Sequence, residues 1–171
     1  MVVPLPPEVE LVVIQAPALP PLGGERVFDV QTLGGAVLQS APRLDLALRQ
    51  SPSVSLFRRS GSDAANPTIQ GVSLRAIAPS GAGRALVTLD GAPQNDPFGG
   101  WVIWSALPPE SIESVAIIQG AGAGAFGAGA LTGVIALKDR SGRDGLSAFD
   151  LSTGNLGQKR LALTTGTPDL L

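Results

Sequence analysis

The chain has 171 residues, and its twelve Lys and Arg against fourteen Asp and Glu give a formal net charge of −2. Neither sign forms a run able to track a phosphate backbone or an anionic bilayer, so no nucleic-acid partner is expected. With no Cys and no His, thiol nucleophiles, imidazole bases, Ser-His-Asp triads and most transition-metal sites are excluded, and neither a cofactor nor a metal is expected.

Hydrophobic residues at 44% suffice for a core, while 22 Gly and 15 Pro demand many loops and turns. The start, "MVVPLPPEVE", shows neither a basic n-region nor a continuous apolar h-region, so no secretory signal is read there. Prolines recur through residues 1–30, and the expectation is a flexible, extended arm. Within it Glu10, Leu11, Val12, Val13, Ile14, Gln15 and Ala16 form one apolar, β-branched stretch. That stretch either docks as a strand on its own domain or pairs with another protein's sheet edge.

From Thr32 to Gln50 the pattern is helical, with Leu33, Val37, Leu44 and Leu48 at spacings of four and seven. Ser40 and Pro42 are placed to cap and open a second helical piece, and Pro52 sets its end near Ser51. Four β-like runs follow, "PTIQGVSLRA" at 67–76, "RALVTLDGAP" at 84–93, "SVAIIQG" at 114–120 and "GVIALKD" at 133–139. "LPPESIES" between the second and third reads as a one-turn helix. Together these describe a small α+β domain with a four-stranded mixed sheet and short helices. Beyond Gly142 two alternating runs flank the turn-rich "TGNLGQ", the pattern of a hairpin and also of membrane-barrel strands.

Two stretches carry candidate chemistry. In "IIQGAGAGAFGAGALTGVIAL", Gly122, Gly124 and Gly127 fit G-x-G-x-x-G, which a dinucleotide-binding reading requires. The helix that should follow is missing, because "AGALT" leads straight into the strand-like "GVIAL". The other use of such a loop is steric: thin backbone packs closely against a neighbouring wall. The second stretch, "LDGAPQNDPFGGWVIW", sets Gln94, Asn95, Asp96, Phe98, Trp101 and Trp104 on or near one loop, a mixture suited to ligand recognition. The competing reading places both tryptophans in the core or at an interface. Arg75 and Arg84 flank "AIAPSGAG" and hold either an anionic ligand or a carboxylate of the domain itself.

In this order, "IQGVSLRA", "RALVTLDGAP" and "LPPESIESVAIIQGAGAGAFGAGALTGVIALKD" resemble the plug domain of TonB-dependent outer-membrane receptors. "ELVVIQA" resembles the TonB box. The resemblance implies residues 1–30 as an arm with a box at 10–16, 31–140 as the plug, and 141–171 as a linker and first barrel-type β-hairpin. It implies a non-enzymatic receptor for a scarce nutrient such as an iron-siderophore complex, cobalamin or saccharide. Its plug would sit in the lumen of a barrel in the cell outer membrane with a periplasmic N-terminus, and the chain would be a fragment without signal peptide or most of the barrel. Glu10–Ala16 would contact a TonB-type energy-transducing protein. The loops holding Arg75, Arg84, Gln94, Asn95, Asp96, Phe98, Trp101 and Trp104 would face the ligand. A free-standing soluble α+β binding domain is the alternative. The sequence departs from the family pattern at Ala116 and Gln119, where a carboxylate and an arginine commonly meet barrel-wall charges, at Phe126, where Tyr is typical, and at Gln70, where Arg is usual.

Overall fold

The computed structural model describes residues 28–58, 60–62, 69–75, 77, 83–120, 126–140, 147–154, 157 and 159–165. Glu10–Ala16 and all but the end of the expected arm lie outside the described residues, as do Gly122 and Gly124. In chain order the strands and helices are β1 (Asp29–Leu33), α1 (Gly35–Gln39), α2 (Leu44–Leu48), β2 (Val54–Leu56), β3 (Ile69–Gln70), β4 (Val72–Leu74), β5 (Leu86–Leu89), β6 (Ala92–Pro93), β7 (Val102–Ile103), β8 (Ile112–Gln119), β9 (Gly133–Asp139), β10 (Ser147–Thr153) and β11 (Lys159–Thr165). The architecture is mixed α+β, as expected, with one-turn helices and a mixed sheet.

That sheet has five strands in the order β1-β8-β9-β5-β6 rather than four. The β5–β9 pair is parallel; β1–β8, β8–β9 and β5–β6 are antiparallel. β1 takes the start of the segment read as helical. Its sequence, DVQTL, buries only Leu33 fully, so an edge strand there has little apolar signal to distinguish it from a helix turn. The run at 67–76 instead breaks at Gly71 into β3 and β4, which pair outside the main sheet with β7 and β2. Asp90 and Gly91, both at positive φ, form the two-residue turn joining β5 to β6, as Asp-Gly does between right-twisted strands. "LPPESIES" holds a single 3-10 turn, Pro109–Ser111.

Period-two alternation sends the two faces of β8 and β9 into different environments. Val115, Ile117, Ile135 and Leu137 join Leu38, Leu44, Leu48, Leu74, Val87 and Trp104 in the main core. Ile118, Val134 and Ala136 face the opposite side, where Ala130, Phe28, Phe126 and Leu86 cover them. The end of the glycine run therefore lies on the back of the sheet, with Ala130 fully buried. At its exit Gly133 has φ 139, and a Cβ there would collide with the Ile118 carbonyl oxygen and Leu74 Cδ1. Only glycine lets β9 begin this close to β8.

One carboxylate is buried in the core's polar seam. Asp45 of α2 is fully buried and accepts hydrogen bonds from Ser62 N (2.8 Å), Ser62 Oγ (2.6 Å) and Gln70 Nε2 (3.5 Å). Gln70 in turn accepts Arg58 N at Oε1 and Trp104 Nε1 at its carbonyl, both at 3.0 Å. The network ties α2, β3 and the indole together, and satisfied polar groups of this kind specify a unique packing.

Replacing Gly133 by Ala is expected to cost about 2–4 kcal/mol, from strain at positive φ and overpacking together. The same change at Gly91, also at positive φ but with nothing within 4 Å of a Cβ, should cost about 1 kcal/mol. Chemical denaturation of the two variants measures the difference.

Candidate functional site

The Asp90–Gly91 turn sends residues 94–101 back beside β5, and side chains from this loop pin it there. Gln94 N donates to Val87 O at 2.8 Å, and Gln94 Nε2 returns to Ala92 O at 3.1 Å. Asn95 spends its amide on backbone: Oδ1 accepts Val87 N at 2.7 Å, while Nδ2 donates to Ala85 O at 3.1 Å and Gly100 O at 3.0 Å. Asp96 Oδ1 accepts Phe98 N at 3.0 Å and Gly99 N at 2.7 Å, an Asx turn that closes the loop tip. The half-buried Trp101 ring lies against Gly99, in the space a Cβ would need. Phe98 projects from this braced tip with 97% exposure. Burial of such a ring would contribute about 1.5–3 kcal/mol, so its position gains nothing for folding.

The loop meets the neighbourhood of Arg84 through Gly83, whose N–H donates to Gly100 O at 3.1 Å. Arg84 is anchored by its backbone, donating to Val72 O and accepting from Thr132 N at 3.0 Å each, and its side chain is exposed. Arg75 follows β4 with φ 55, a left-handed conformation unfavourable for a side-chain-bearing residue, and is exposed as well. The structure thus gathers Arg84, Asn95, Asp96, Phe98 and Trp101 around the 83–100 contact, with Gln94 at the loop's start and Arg75 at the end of β4.

Trp104 corrects the sequence expectation. It is fully buried in the main core, with its only polar atom satisfied by Gln70 O, and so does not face a ligand. A large ring with one donor is well suited to a core position with one free carbonyl. Asn95, too, is committed to holding the loop, its side-chain amide engaged on three backbone groups.

A second feature lies across the molecule. β10 and β11 pair antiparallel, with Phe149 opposite Leu163 and Leu151 opposite Leu161. These four side chains are 65% to 69% exposed on one face. The other face carries Asp150, Ser152, Arg160, Ala162 and Thr164, all half-buried. Arg160 reaches from it to Glu110 Oε2 at 2.7 Å and Asp150 Oδ1 at 2.8 Å, joining the strand pair to the 3-10 turn. A cavity of about 530 Å³ opens beside this bridge, between residues 39–42, Pro109 and the strand pair. Sequence reasoning missed Arg160 and Glu110. The available signal was phase: Arg160 falls in step with Ala162 and Thr164, opposite to the leucines.

The glycine fingerprint has no βαβ frame. β8 and β9 on either side of it are antiparallel neighbours, and the described residues 126–132 form turns before β9. A Rossmann crossover needs parallel strands and an intervening helix.

The structure is therefore a small α+β domain whose exposed chemistry sits on braced loops and which continues into an amphipathic strand pair. The family model described as TonB-dependent Receptor Plug Domain matches residues 28–134, and the chain belongs to that family. No curated protein matches the chain. Among solved structures it resembles the hemophore receptor HasR of Serratia marcescens, in complex with its hemophore HasA and heme, at 21% identity and TM-score 0.54, over 80% of this chain and 22% of that one. The unliganded ferric citrate transporter FecA matches at 18% identity and TM-score 0.53, over 66% of this chain and 18% of the transporter. The ferric yersiniabactin uptake receptor FyuA of Yersinia pestis matches at 16% identity and TM-score 0.51, over 72% of this chain and 18% of the receptor. The chain spans 18% to 22% of the length of these three receptors.

Replacement of Asn95 by Ala is expected to destabilise the domain by about 2 kcal/mol, because three backbone partners lose their bonds at once. Hydrogen exchange at Val87 N–H, which Asn95 caps, should accelerate in the variant, and Asn95→Asp should not restore stability because it lacks the two N–H donors.

Proposed function

We propose that the chain acts as the ligand-binding and gating plug of an active-uptake receptor in the cell outer membrane. The observation that carries this reading is the family match over 28–134, followed by a strand pair with one apolar and one polar face. Barrel strands alternate in this way, apolar toward lipid and polar toward the lumen. On that reading β10 and β11 belong to the barrel wall, and 141–171 is a linker and first hairpin. Phe149, Leu151, Leu161 and Leu163 then face acyl chains, and the Glu110–Arg160 bridge crosses from plug to wall.

The receptor performs no chemistry on its cargo. It recognises a scarce nutrient on loops at one end of the plug and admits it when the plug is pulled. Three solved receptors of similar fold are named for ferric citrate, for ferric yersiniabactin and for a hemophore with heme, which supports an iron-bearing cargo here. Glu10, Leu11, Val12, Val13, Ile14, Gln15 and Ala16 serve as the TonB box, adding a strand to the edge of a TonB-type protein's sheet. Extended β-branched residues suit that mode, in which main-chain hydrogen bonds supply affinity.

A synthetic peptide of residues 8–18 is expected to bind the C-terminal domain of the TonB-type protein from the same cell with a Kd in the micromolar range, read by calorimetry. Val13→Pro, which removes a backbone donor, should abolish that binding. Equal binding by the proline variant, or none by the parent peptide, would contradict the box assignment.

A further inference from the structure

The root of the arm and both described ends of the glycine run meet on one small cluster at the back of the sheet. β1 begins opposite the end of β8, with Asp29 paired to Gln119 and Gln119 Nε2 donating to Asp29 Oδ2 at 3.2 Å. One residue earlier, the Phe28 ring lies against Gly120, where a Cβ would collide with ring atoms Cδ1 and Cε1. Gly120 has φ 141, so the backbone leaving β8 turns in a conformation that favours glycine and thereby seats the ring. At the other end of the run, Phe126 and Ala130 join the same cluster. There the Ala130 and Thr132 amides donate to Gly127 O at 3.2 Å and Arg84 O at 3.0 Å.

The two sides of the sheet are unequally filled. Among the described residues the main core has nineteen buried apolar side chains, whereas the back cluster has three, Ile118, Ala130 and Val134. Their cover is Phe28, Leu86, Phe126 and Ala136, all partly buried. Leu86 and Ala136 are fixed in β5 and β9, while the two rings belong to segments outside the strands. Local opening favours the region with the fewest buried apolar contacts, so the back of the sheet opens before the front. Phe28 is the member of the cover that belongs to the arm, and withdrawing the arm removes it.

We propose that Phe28 is a positioning residue that seats the glycine run on the root of the arm. Drawing the arm away lifts the ring from Gly120, opens the back cluster and frees residues 126–132 while the main core stays closed. This rests on the plug reading above, in which the plug is pulled, and goes beyond it by naming where the pull enters the domain and what yields first.

The test uses the intact native protein that carries this chain, purified in detergent, with hydrogen exchange read peptide by peptide. Phe28→Ala is expected to speed exchange across 126–132 by about tenfold, through loss of the ring's cover, and to leave α2 in the main core unchanged. Phe28→Leu, which keeps apolar volume, should retain most of the protection. Coupling between two sites is reciprocal, so Phe126→Ala should speed exchange across 28–33 by a similar factor. Phe57→Ala, the same truncation at a ring 54% exposed and outside the cluster, should change neither region. Circular dichroism should confirm that the variants fold. Unchanged exchange across 126–132 in Phe28→Ala, an equal rise in α2, or no rise across 28–33 in Phe126→Ala would overturn the assignment. No cargo, partner or energy source enters the measurement, so such a result leaves the uptake reading standing.

Discussion

The parallel pairing of β5 with β9 is the constraint from which the other features follow. Parallel neighbours cannot be joined by a tight turn, so residues 90–132 must leave the C-terminal end of β5 and return to the opposite end of the sheet, where β9 begins. That excursion contains the braced loop with Phe98, the buried Trp104, the 3-10 turn with Glu110, and β8, which inserts between β1 and β9. The hydrogen bond from Thr132 N to Arg84 O closes the circuit, bringing the end of the excursion beside the start of β5. The loop chemistry and the bridge toward the strand pair are thus consequences of one sheet topology.

The glycine run completes that circuit under a steric limit. It must cross from β8 to the adjacent antiparallel β9 while also covering the back of the sheet, where Ile118, Val134 and Leu86 would otherwise meet water. Small residues allow both, and Phe28 and Phe126 supply the volume that glycine and alanine lack. On the other side of the molecule the contact with the strand pair is electrostatic. Arg160 engages two carboxylates in a half-buried setting, which offsets part of the cost of withdrawing all three groups from water. The charge that bridges to the strand pair from the rest of the domain is on Glu110.

Local signals were legible in the sequence wherever chemistry and backbone agree. "GVIALKD" forms β9 over its full length, and the missing helix after Gly127 already argues against a nucleotide fold. Edges and partners were not legible. β1 hid because an edge strand with one fully buried side chain has almost no period-two signal, and Leu33 fitted a helical spacing equally well. The stretch at 67–76 read as one strand because local pattern does not reveal that Gly71 splits it between two partners. Trp104 and Trp101 are three residues apart with the same side chain, and only the positions of Gln70 O and Gly99 separate a core ring from a loop ring. Arg160 and Glu110, fifty positions apart, meet only through the fold.

The uptake reading, and the lipid-facing role of Phe149, Leu151, Leu161 and Leu163 with it, is tested most directly by where the native protein resides. An antibody raised against residues 28–140 should be used to blot fractions of the source cells, recording compartment and apparent mass together. The account predicts a band in the outer-membrane fraction, several times heavier than this chain, resistant to extraction by salt and carbonate. A band of this chain's own mass in the soluble fraction would mean a free-standing binding domain, and transport would have to be abandoned.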